Sequence, residues 1–426
     1  MAELKKGYKH NPNAEWVGEV PDSWEFYKGK YVFGERFEKG NEKNLELLSP
    51  TQKYGVIPQS MYDELSGMRA VKVKESTDLS LFKTVHVGDF CISLRSFQGG
   101  FEYSKYEGVV SPAYHILFPK KIIEDGYYKY LFKEQSFIAE MNSYCQSLRD
   151  GKNISYTDFG KTLIPYPPLA EQRAIASYLD DRCSKLDEII AEAEKSIEEY
   201  KELKQAVIFE AVTKGLDKNA PMRESGIEWI REIPSTWNVI RIKYLLDEIN
   251  NRSETGEEEP LSVSQVLGVV PSTMIAVANP ASSTIGQKIV EPGDLVFNKL
   301  KAHLGVFFVS DYKGLVSPDY AVYRANDKVN PKYLEYLFHT PACITEFKKY
   351  ITGVAVGLMR LYTSDLFNIS IALPKRSEQE RIIEYLAVNV SKYDALISEK
   401  QSLIEDLKAY KKSLIYEVVT GKRRIT

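Results

Sequence analysis

The sequence predicts an α+β protein made of two tandem α/β domains, each followed by a long helix, with the two helices packing as an antiparallel coiled coil. Three observations carry that prediction. A set of short motifs occurs twice in the same order, about 210 residues apart. Each half opens with short strand-like runs separated by turn residues. Each half closes on a stretch of about forty residues whose apolar positions alternate three and four apart.

The repeat comes first because it decides the domain count. Trp16-Val17-Gly18-Glu19-Val20-Pro21-Asp22-Ser23-Trp24 recurs as Trp229-Ile230-Arg231-Glu232-Ile233-Pro234-Ser235-Thr236-Trp237, an offset of 213. Ser49 and Gly55-Val56-Ile57-Pro58 match Ser262 and Gly268-Val269-Val270-Pro271 at the same offset. Gly88-Asp89 matches Gly293-Asp294 at 205, and Ser111-Pro112-Ala113-Tyr114 matches Ser317-Pro318-Asp319-Tyr320 at 206. Glu171-Gln172 matches Glu378-Gln379 at 207. Units of this size are domains rather than solenoid repeats. The four tryptophans of the framework motif fit a core role better than base stacking.

Residues 1–168 read as the first domain. The run from Gly108 to Leu117 has strand character, and residues 127–144 are helical in pattern. Pro165-Tyr166-Pro167-Pro168 then breaks the chain before a helix from about Ala170 to Thr213, within a segment 169–218. Residues 219–374 form the second domain, with a strand at Leu295–Asn298 and helical pattern over 331–350. The segment 375–426 holds the second helix, from about Glu378 to Thr420 after Pro374. Gly215 and Gly421 are its stop signals and those of the first helix. The expected seam is Ile175, Leu179, Leu186, Ile189, Ala193, Ile197, Tyr200 and Val207 in the first helix. In the second it is Ile382, Leu386, Tyr393, Leu396, Leu403, Leu407, Tyr410 and Leu414. Neither helix can bury such a stripe alone, so the two are expected to pair. At about 1.5 Å per residue each is a rod of roughly 60–65 Å. A pair of core helices in an ordinary bundle is the plainer alternative.

Hydrophobic residues make up 43% and charged residues 27%, as in ordinary soluble proteins. No apolar run has membrane-spanning length and Met1–Lys6 has no signal-peptide pattern, so a cytoplasmic location is expected. Cys91, Cys145, Cys183 and Cys343 are scattered and suggest neither a zinc site nor disulfides. The net charge is −3, and the two domains carry 22 basic against 22 acidic and 15 against 17 residues. Any nucleic-acid contact must therefore use focused patches.

Catalytic motifs are missing. The sequence has no phosphate-cradling glycine loop, no nucleophile elbow and no metalloprotease helix. Pro318-Asp319 with Glu346-Phe347-Lys348 superficially resembles a metal-dependent nuclease motif. Ala113 stands where the repeat would need that acid, so the motif does not belong to the duplicated module. A turn and a solvated helix face account for it.

The framework motif at 16–24 and 229–237 resembles the start of a target-recognition domain in type I restriction–modification specificity subunits. Tyr156-Thr157 followed by Pro165-Tyr166-Pro167-Pro168-Leu169-Ala170-Glu171-Gln172-Arg173 resembles that family's approach to its conserved helix, as does Arg360-Leu361-Tyr362-Thr363 with Pro374 and Glu378-Gln379. The likeness spans nearly the whole chain. It implies a non-catalytic, sequence-specific DNA-binding subunit with one domain for each half of a split double-stranded target. It implies that the helices hold the half-sites apart and dock two methyltransferase subunits, with Glu171, Gln172, Glu378 and Gln379 as the candidate partner residues. No cofactor is implied in this chain, S-adenosylmethionine belonging to the methyltransferase. Up to two restriction (motor–nuclease) subunits complete the restriction form, and no membrane is involved. The second half departs from the pattern at Ser370–Arg376, where it lacks the double proline, so its helix is expected to start differently. One DNA turn spans about 34–36 Å, so a ~60 Å rod suits two heads with unread base pairs between them.

Base readout needs Arg, Lys, Asn or Gln at groove edges, with basic and hydroxyl groups on phosphates. In the first domain these criteria select Ser93, Arg95, Ser96 and Gln98, the polar loop Arg149, Lys152 and Asn153, and Lys53. In the second they select Gln265, Asn298, Lys299, Lys301, His303 and Arg360. A protein-binding scaffold with two heads on a coiled coil is the competing function.

Overall fold

A computed structural model describes residues 6–39, 45–67, 79–92, 100–144, 154–275, 284–351 and 360–425. The chain divides into two compact units, Met1–Glu192 with Leu403–Thr426, and Ala193–Ser402.

In the first unit a hairpin joins Tyr8–His10 to Glu19–Pro21. Glu25–Lys28 pairs antiparallel with Leu163–Tyr166, which ties the start of the domain to the segment just before the long helix. A four-stranded antiparallel sheet follows in the order Phe33–Arg36, His115–Pro119, Phe90–Ile92, Phe101–Tyr103. A second hairpin, Leu48–Thr51 with Gly55–Pro58, and the pair Lys83–Val85 with Gly108–Val110 flank it. The run from Gly108 is thus two strands in two sheets, not one. Pro112 cannot donate to a ladder, and Tyr114 N–H closes a turn onto the Ser111 carbonyl. The helical region is also two helices, Asp125–Leu131 and Gln135–Ser143, because the Glu134 carboxylate caps the second one at the Ser136 and Phe137 amides. Phe33, Phe90, Phe101, Phe132, Phe137 and Phe159 fill the core between sheet and helices in edge and tilted pairs, such as Phe101–Phe132 at 5.0 Å.

The second unit repeats this plan. Met222–Glu224 pairs with Glu232–Pro234, and Asn238–Arg241 with Ser370–Leu373. Its sheet runs Leu246–Ile249, Tyr320–Ala325, Leu295–Asn298, Phe307–Val309. Leu261–Ser264 with Gly268–Pro271 and Lys288–Val290 with Gly314–Val316 flank it, and Pro331–Phe338 and Pro341–Tyr350 are its helices.

The long helices span Leu169–Lys214 and Arg376–Val419. Within the first unit, Ile175, Leu179, Cys183 and Leu186 share a core with Leu414, Val418 and Val419 and with Trp24 and Tyr127. Within the second, Ile382 and Leu386 share a core with Ile208, Ala211 and Val212 and with Trp237 and Tyr333. Each unit therefore sets the early turns of one helix against the late turns of the other, which is antiparallel packing. The buried Tyr127 hydroxyl donates to the Val419 carbonyl at 2.9 Å, and its repeat partner Tyr333 donates to the Val212 carbonyl at 2.8 Å. These bonds use helix-end carbonyls that have no partner within the helix.

The seam differs from the expected one. Ile189, Leu396, Leu403 and Tyr410 are exposed, whereas Ile190, Ile397 and Ile404 are buried. Cys183 and Val390 belong to the seam, so each helix begins with two successive steps of four before threes and fours alternate. Straight helices turn once per 3.6 residues, and a strict 3.5 repeat drifts off the contact line, which the extra four corrects. At one later position the repeats place a lysine. Lys411 reaches Asp187 at 2.6 Å in the first unit, and Lys204 reaches Asp394 at 2.6 Å in the second.

Gly421 and Gly215 end the helices in left-handed conformation, at φ +72° and +75°. A methyl group at Gly421 would lie 2.4 Å from Pro21 Cδ, whereas at Gly215 its nearest neighbour is Trp237 at 3.2 Å. Left-handed strain costs about 1–2 kcal/mol. Both Gly→Ala variants should therefore lose stability in urea denaturation, and Gly421→Ala should lose more. Equal losses would show that the Pro21 contact relaxes freely.

Candidate nucleic-acid interface

In the second unit the strand Leu295–Asn298 runs into a short 3-10 helix, Lys299–Leu304, which Gly305 ends at φ +70°. Asn298 Oδ1 accepts from the Leu300 amide at 3.1 Å, so this side chain caps the turn. Gln265, at the tip of the neighbouring hairpin, donates its Nε2 to the Leu304 carbonyl at 3.4 Å. Leu361 N–H donates to the Lys299 carbonyl at 3.2 Å, which brings Arg360 beside the same turn. All six candidates of the second domain thus gather on or against one structural element. Their situations differ. Asn298 and Gln265 spend side-chain groups on shaping the turn, Lys301 is exposed, and His303 is half-buried with Nδ1 unpartnered. Lys299 Nζ lies 3.7 Å from Glu248 Oε1.

In the first unit Lys53 is exposed in the turn between Leu48–Thr51 and Gly55–Pro58, its ammonium 5.0 Å from the centre of the Tyr54 ring. Ser93, Arg95, Ser96, Gln98, Arg149, Lys152 and Asn153 lie outside the described residues.

The Gly-Asp motif is a structural device. Asp89 is buried and accepts from the His86 amide at 2.9 Å and bidentately from Arg36, at 2.8 and 3.0 Å. Asp294 accepts from the Glu291 amide at 3.0 Å and from Arg324 at 2.8 and 2.9 Å. The arginines come from non-equivalent strands, so sequence alignment of the repeats cannot pair them. A fork of two parallel bonds offsets the desolvation of a buried carboxylate.

The glutamines assigned to a partner surface are internal. Gln172 is fully buried; its Oε1 accepts from the Glu124 amide at 2.9 Å and its Nε2 donates to the Pro167 carbonyl at 2.8 Å. Gln379, also fully buried, accepts from the Asn330 amide at 2.7 Å and donates to the Lys328 and Pro374 carbonyls. A partner would find neither amide, because both are committed to joining the helix start to the domain. The same Gln-to-Pro bond in both repeats also shows that the two helices start alike despite the missing double proline. Glu171 accepts from the Trp24 indole N–H at 2.6 Å. Glu378 is half-buried, and the equivalent Trp237 indole nitrogen is buried without a partner. Trp24 and Trp237 are core residues, and Trp16 and Trp229 pack against the cores.

Ile189, Leu396 and Tyr410, which sequence reading placed in the seam, are instead exposed, as is Leu203, which it did not. Ile189 and Tyr410 stand out in the first unit, and their repeat equivalents Leu396 and Leu203 in the second. The signal that would have found them is the one-residue phase shift introduced by Cys183 and Val390. The nuclease-like residues stay ordinary: Asp319 is exposed on a turn, Lys348 is exposed, and Glu346 pairs with Lys349 at 2.8 Å.

Beneath the hairpin Leu48–Thr51/Gly55–Pro58, Glu102 is buried beside Lys133, whose ammonium also donates to the Gln52 carbonyl at 3.2 Å. Burial pushes the Glu102 carboxyl up to about 7, against the pull of Lys133. The folded state then holds this proton more tightly than the unfolded chain does. The stabilisation is complete below the unfolded carboxylate range near 4.5 and is lost as pH rises through about 7. Glu102→Gln should shrink the fall in unfolding temperature between pH 5 and pH 8. A variant with an unchanged fall would show that Glu102 is not the titrating group.

Comparison with known proteins gives a consistent result. The profile of the type I restriction modification DNA specificity domain matches residues 21–199 and again 234–406. The chain is 25% identical to the type I restriction enzyme MjaVIII specificity subunit of Methanocaldococcus jannaschii, over 100% of this chain and 99% of that one. It is 25% identical to the EcoKI specificity subunit of Escherichia coli over 63% of this chain and 59% of that one. Among solved structures, its fold is like that of a chain from work on complex assembly and conformational transition of the type I R-M system. The TM-score is 0.70 at 16% identity, over 95% of this chain and 99% of that one. The HsdS subunit from Thermoanaerobacter tengcongensis gives 0.52 at 17% identity, over 95% and 98%. The chain belongs to the type I restriction modification DNA specificity family and carries its domain twice.

Proposed function

We propose that this chain is the non-catalytic, sequence-reading subunit of a cytoplasmic type I restriction–modification enzyme, with one domain for each half of a bipartite DNA target. The observation that carries the reading is the paired match of a DNA specificity domain to both halves of the chain. The duplicated framework supports the division of labour: strand pairings, Gly-Asp turns and helix-start glutamines repeat, while the candidate readers differ between copies. In this reading 1–168 and 219–374 are the reading domains and 169–218 and 375–426 the helical segments. Lys53, Ser93, Arg95, Ser96, Gln98, Arg149, Lys152 and Asn153 serve one half-site, and Lys299, Lys301, His303 and Arg360 the other. Gln265 and Asn298 hold the second reading turn in shape.

The partners are two methyltransferase subunits, which bring S-adenosylmethionine, and restriction subunits in the restriction form. The equivalent exposed pairs Ile189 with Tyr410 and Leu396 with Leu203 support two like docking sites, since an apolar patch repeated by pseudosymmetry suits two copies of one partner. Glu171 and Glu378, in the first turns of the two helices, are kept as further candidate partner residues.

The decisive experiment is co-expression with the methyltransferase and methylation of a random-sequence duplex pool. Product confined to a split sequence supports the reading, and sequence-independent or absent product favours a protein-binding scaffold. In the same assay Arg95→Ala should relax one half-site by about 1–3 kcal/mol and leave the other intact, with Lys301→Ala affecting only the opposite half. Loss at both halves from either variant would contradict the assignment. Leu396→Asp with Leu203→Asp should reduce bound methyltransferase from two copies to one in native mass spectrometry; retention of both copies would remove the patches as docking sites.

A further inference from the structure

A buried lysine lies next to the second reading turn. Lys288, on the strand Lys288–Val290, is only 4% exposed. Among the described residues its ammonium makes no hydrogen bond, and its nearest carboxylate oxygen, Glu248 Oε1, is 3.8 Å away. That same oxygen is the one Lys299 approaches at 3.7 Å. Arg252 is bridged to Lys288 through the backbone, and its exposed guanidinium donates one bond to the Gly286 carbonyl, leaving other N–H groups to spare. Two lysines thus share one carboxylate, and Arg252 adds a third positive charge on the bridged strand position. Burial pushes the Lys288 ammonium's pKa down, and the neighbouring Lys299 adds to that.

An ammonium on a largely buried stem, short of protein acceptors, gains from an incoming anion with several oxygens. The other repeat shows that this shortage is not inherent in the framework. Lys83, Lys39 and Glu35 occupy the positions of Lys288, Arg252 and Glu248, and the backbone bridge Lys39–Lys83 repeats the bridge Arg252–Lys288. There, however, Lys83 donates to the Tyr114 carbonyl at 2.7 Å, and Glu35 is taken by His115 at 2.5 Å. The first copy satisfies its lysine internally, and the second leaves it unmet beside the reading turn.

We propose that Lys288, Lys299 and Arg252 form a clamp for one DNA backbone phosphate, which sets the reading turn of the second domain on the duplex. The inference rests on the DNA-reading function proposed above and adds to it a phosphate site that reads no sequence.

The test uses the full-length chain and two fluorescent 40-base-pair duplexes, one of mixed sequence and one carrying the methylated target. Binding is measured across a salt series for wild type, Lys288→Met, Arg252→Gln and Lys83→Met. Each phosphate contact contributes about 0.9 to the slope of log affinity against log salt. Lys288→Met, which keeps the stem and removes a buried charge, should lower the slope by about that amount on both duplexes. Arg252→Gln, at an exposed position, should lower it in the same direction, and Lys83→Met should leave it unchanged. An unchanged slope in both second-domain variants overturns the clamp while wild-type preference for the target keeps the DNA reading intact. Loss on the target duplex alone makes Lys288 a base reader and also overturns the clamp. Wild type that binds neither duplex overturns clamp and reading together.

Discussion

Neither domain core is complete without the far end of a long helix laid across its tryptophan. In the first unit Leu414, Val418 and Val419 close the space around Trp24 and Tyr127. In the second, Ile208, Ala211 and Val212 do so around Trp237 and Tyr333. Burying an aliphatic side chain stabilises by about 1.5–3 kcal/mol, so each helix end contributes more than any single polar contact in its unit. The tyrosine bonds to Val419 and Val212 then fix how far the helix runs before Gly421 or Gly215 turns it away. The core of the first domain is thereby completed by the end of the second long helix.

The ion pairs along the seam have another task. Lys411–Asp187 and Lys204–Asp394 are partly exposed, and such pairs contribute roughly 0–1 kcal/mol. That is too little to drive pairing. Their value lies in register: a lysine at a seam position tolerates few alignments, since a slip by a turn would place it against an apolar residue. Apolar burial brings the helices together, and the duplicated lysines select which turns meet.

The sequence made the two-domain plan, the helix limits and the core tryptophans legible, because each rests on local signals that occur twice. The predicted helix from about Ala170 to Thr213 lies within one residue of the observed Leu169–Lys214 at each end. The phase of the seam was less legible. Cys183 and Val390 look like unremarkable residues until the 3.6-residue turn is followed over several turns, and the missed step of four leaves Ile189, Leu396 and Leu403 one residue short of the buried Ile190, Ile397 and Ile404. Gln172 and Gln379 look like surface residues beside a glutamate. Their burial is decided by amides and carbonyls that the chain supplies from elsewhere, which no local pattern announces. The arginines that hold Asp89 and Asp294 are hidden for a similar reason, since equivalent carboxylates recruit them from different strands. Of the candidate site, the second domain's residues converge on one turn, and Lys288 is not legible because a strand lysine gives no sign of being buried.

The divergence between the copies is not confined to exposed loops. Glu102 and Lys133 in the first domain stand where Phe308 and His339 stand in the second. An ion pair beneath one hairpin is thus replaced by two packed rings beneath the other, 4.8 Å apart. Gly268, in the hairpin of the second copy, rests against Phe308, whereas Gln52 in the first is tethered by Lys133. The layer beneath the candidate readers has therefore changed along with those residues. Side-chain geometry at a groove edge must be held to fractions of an ångström by what lies behind it. On the proposed function, specificity would be a property of the hairpin, its turn and the residues under both, and moving exposed residues alone from one domain to the other would not carry the support that aims them.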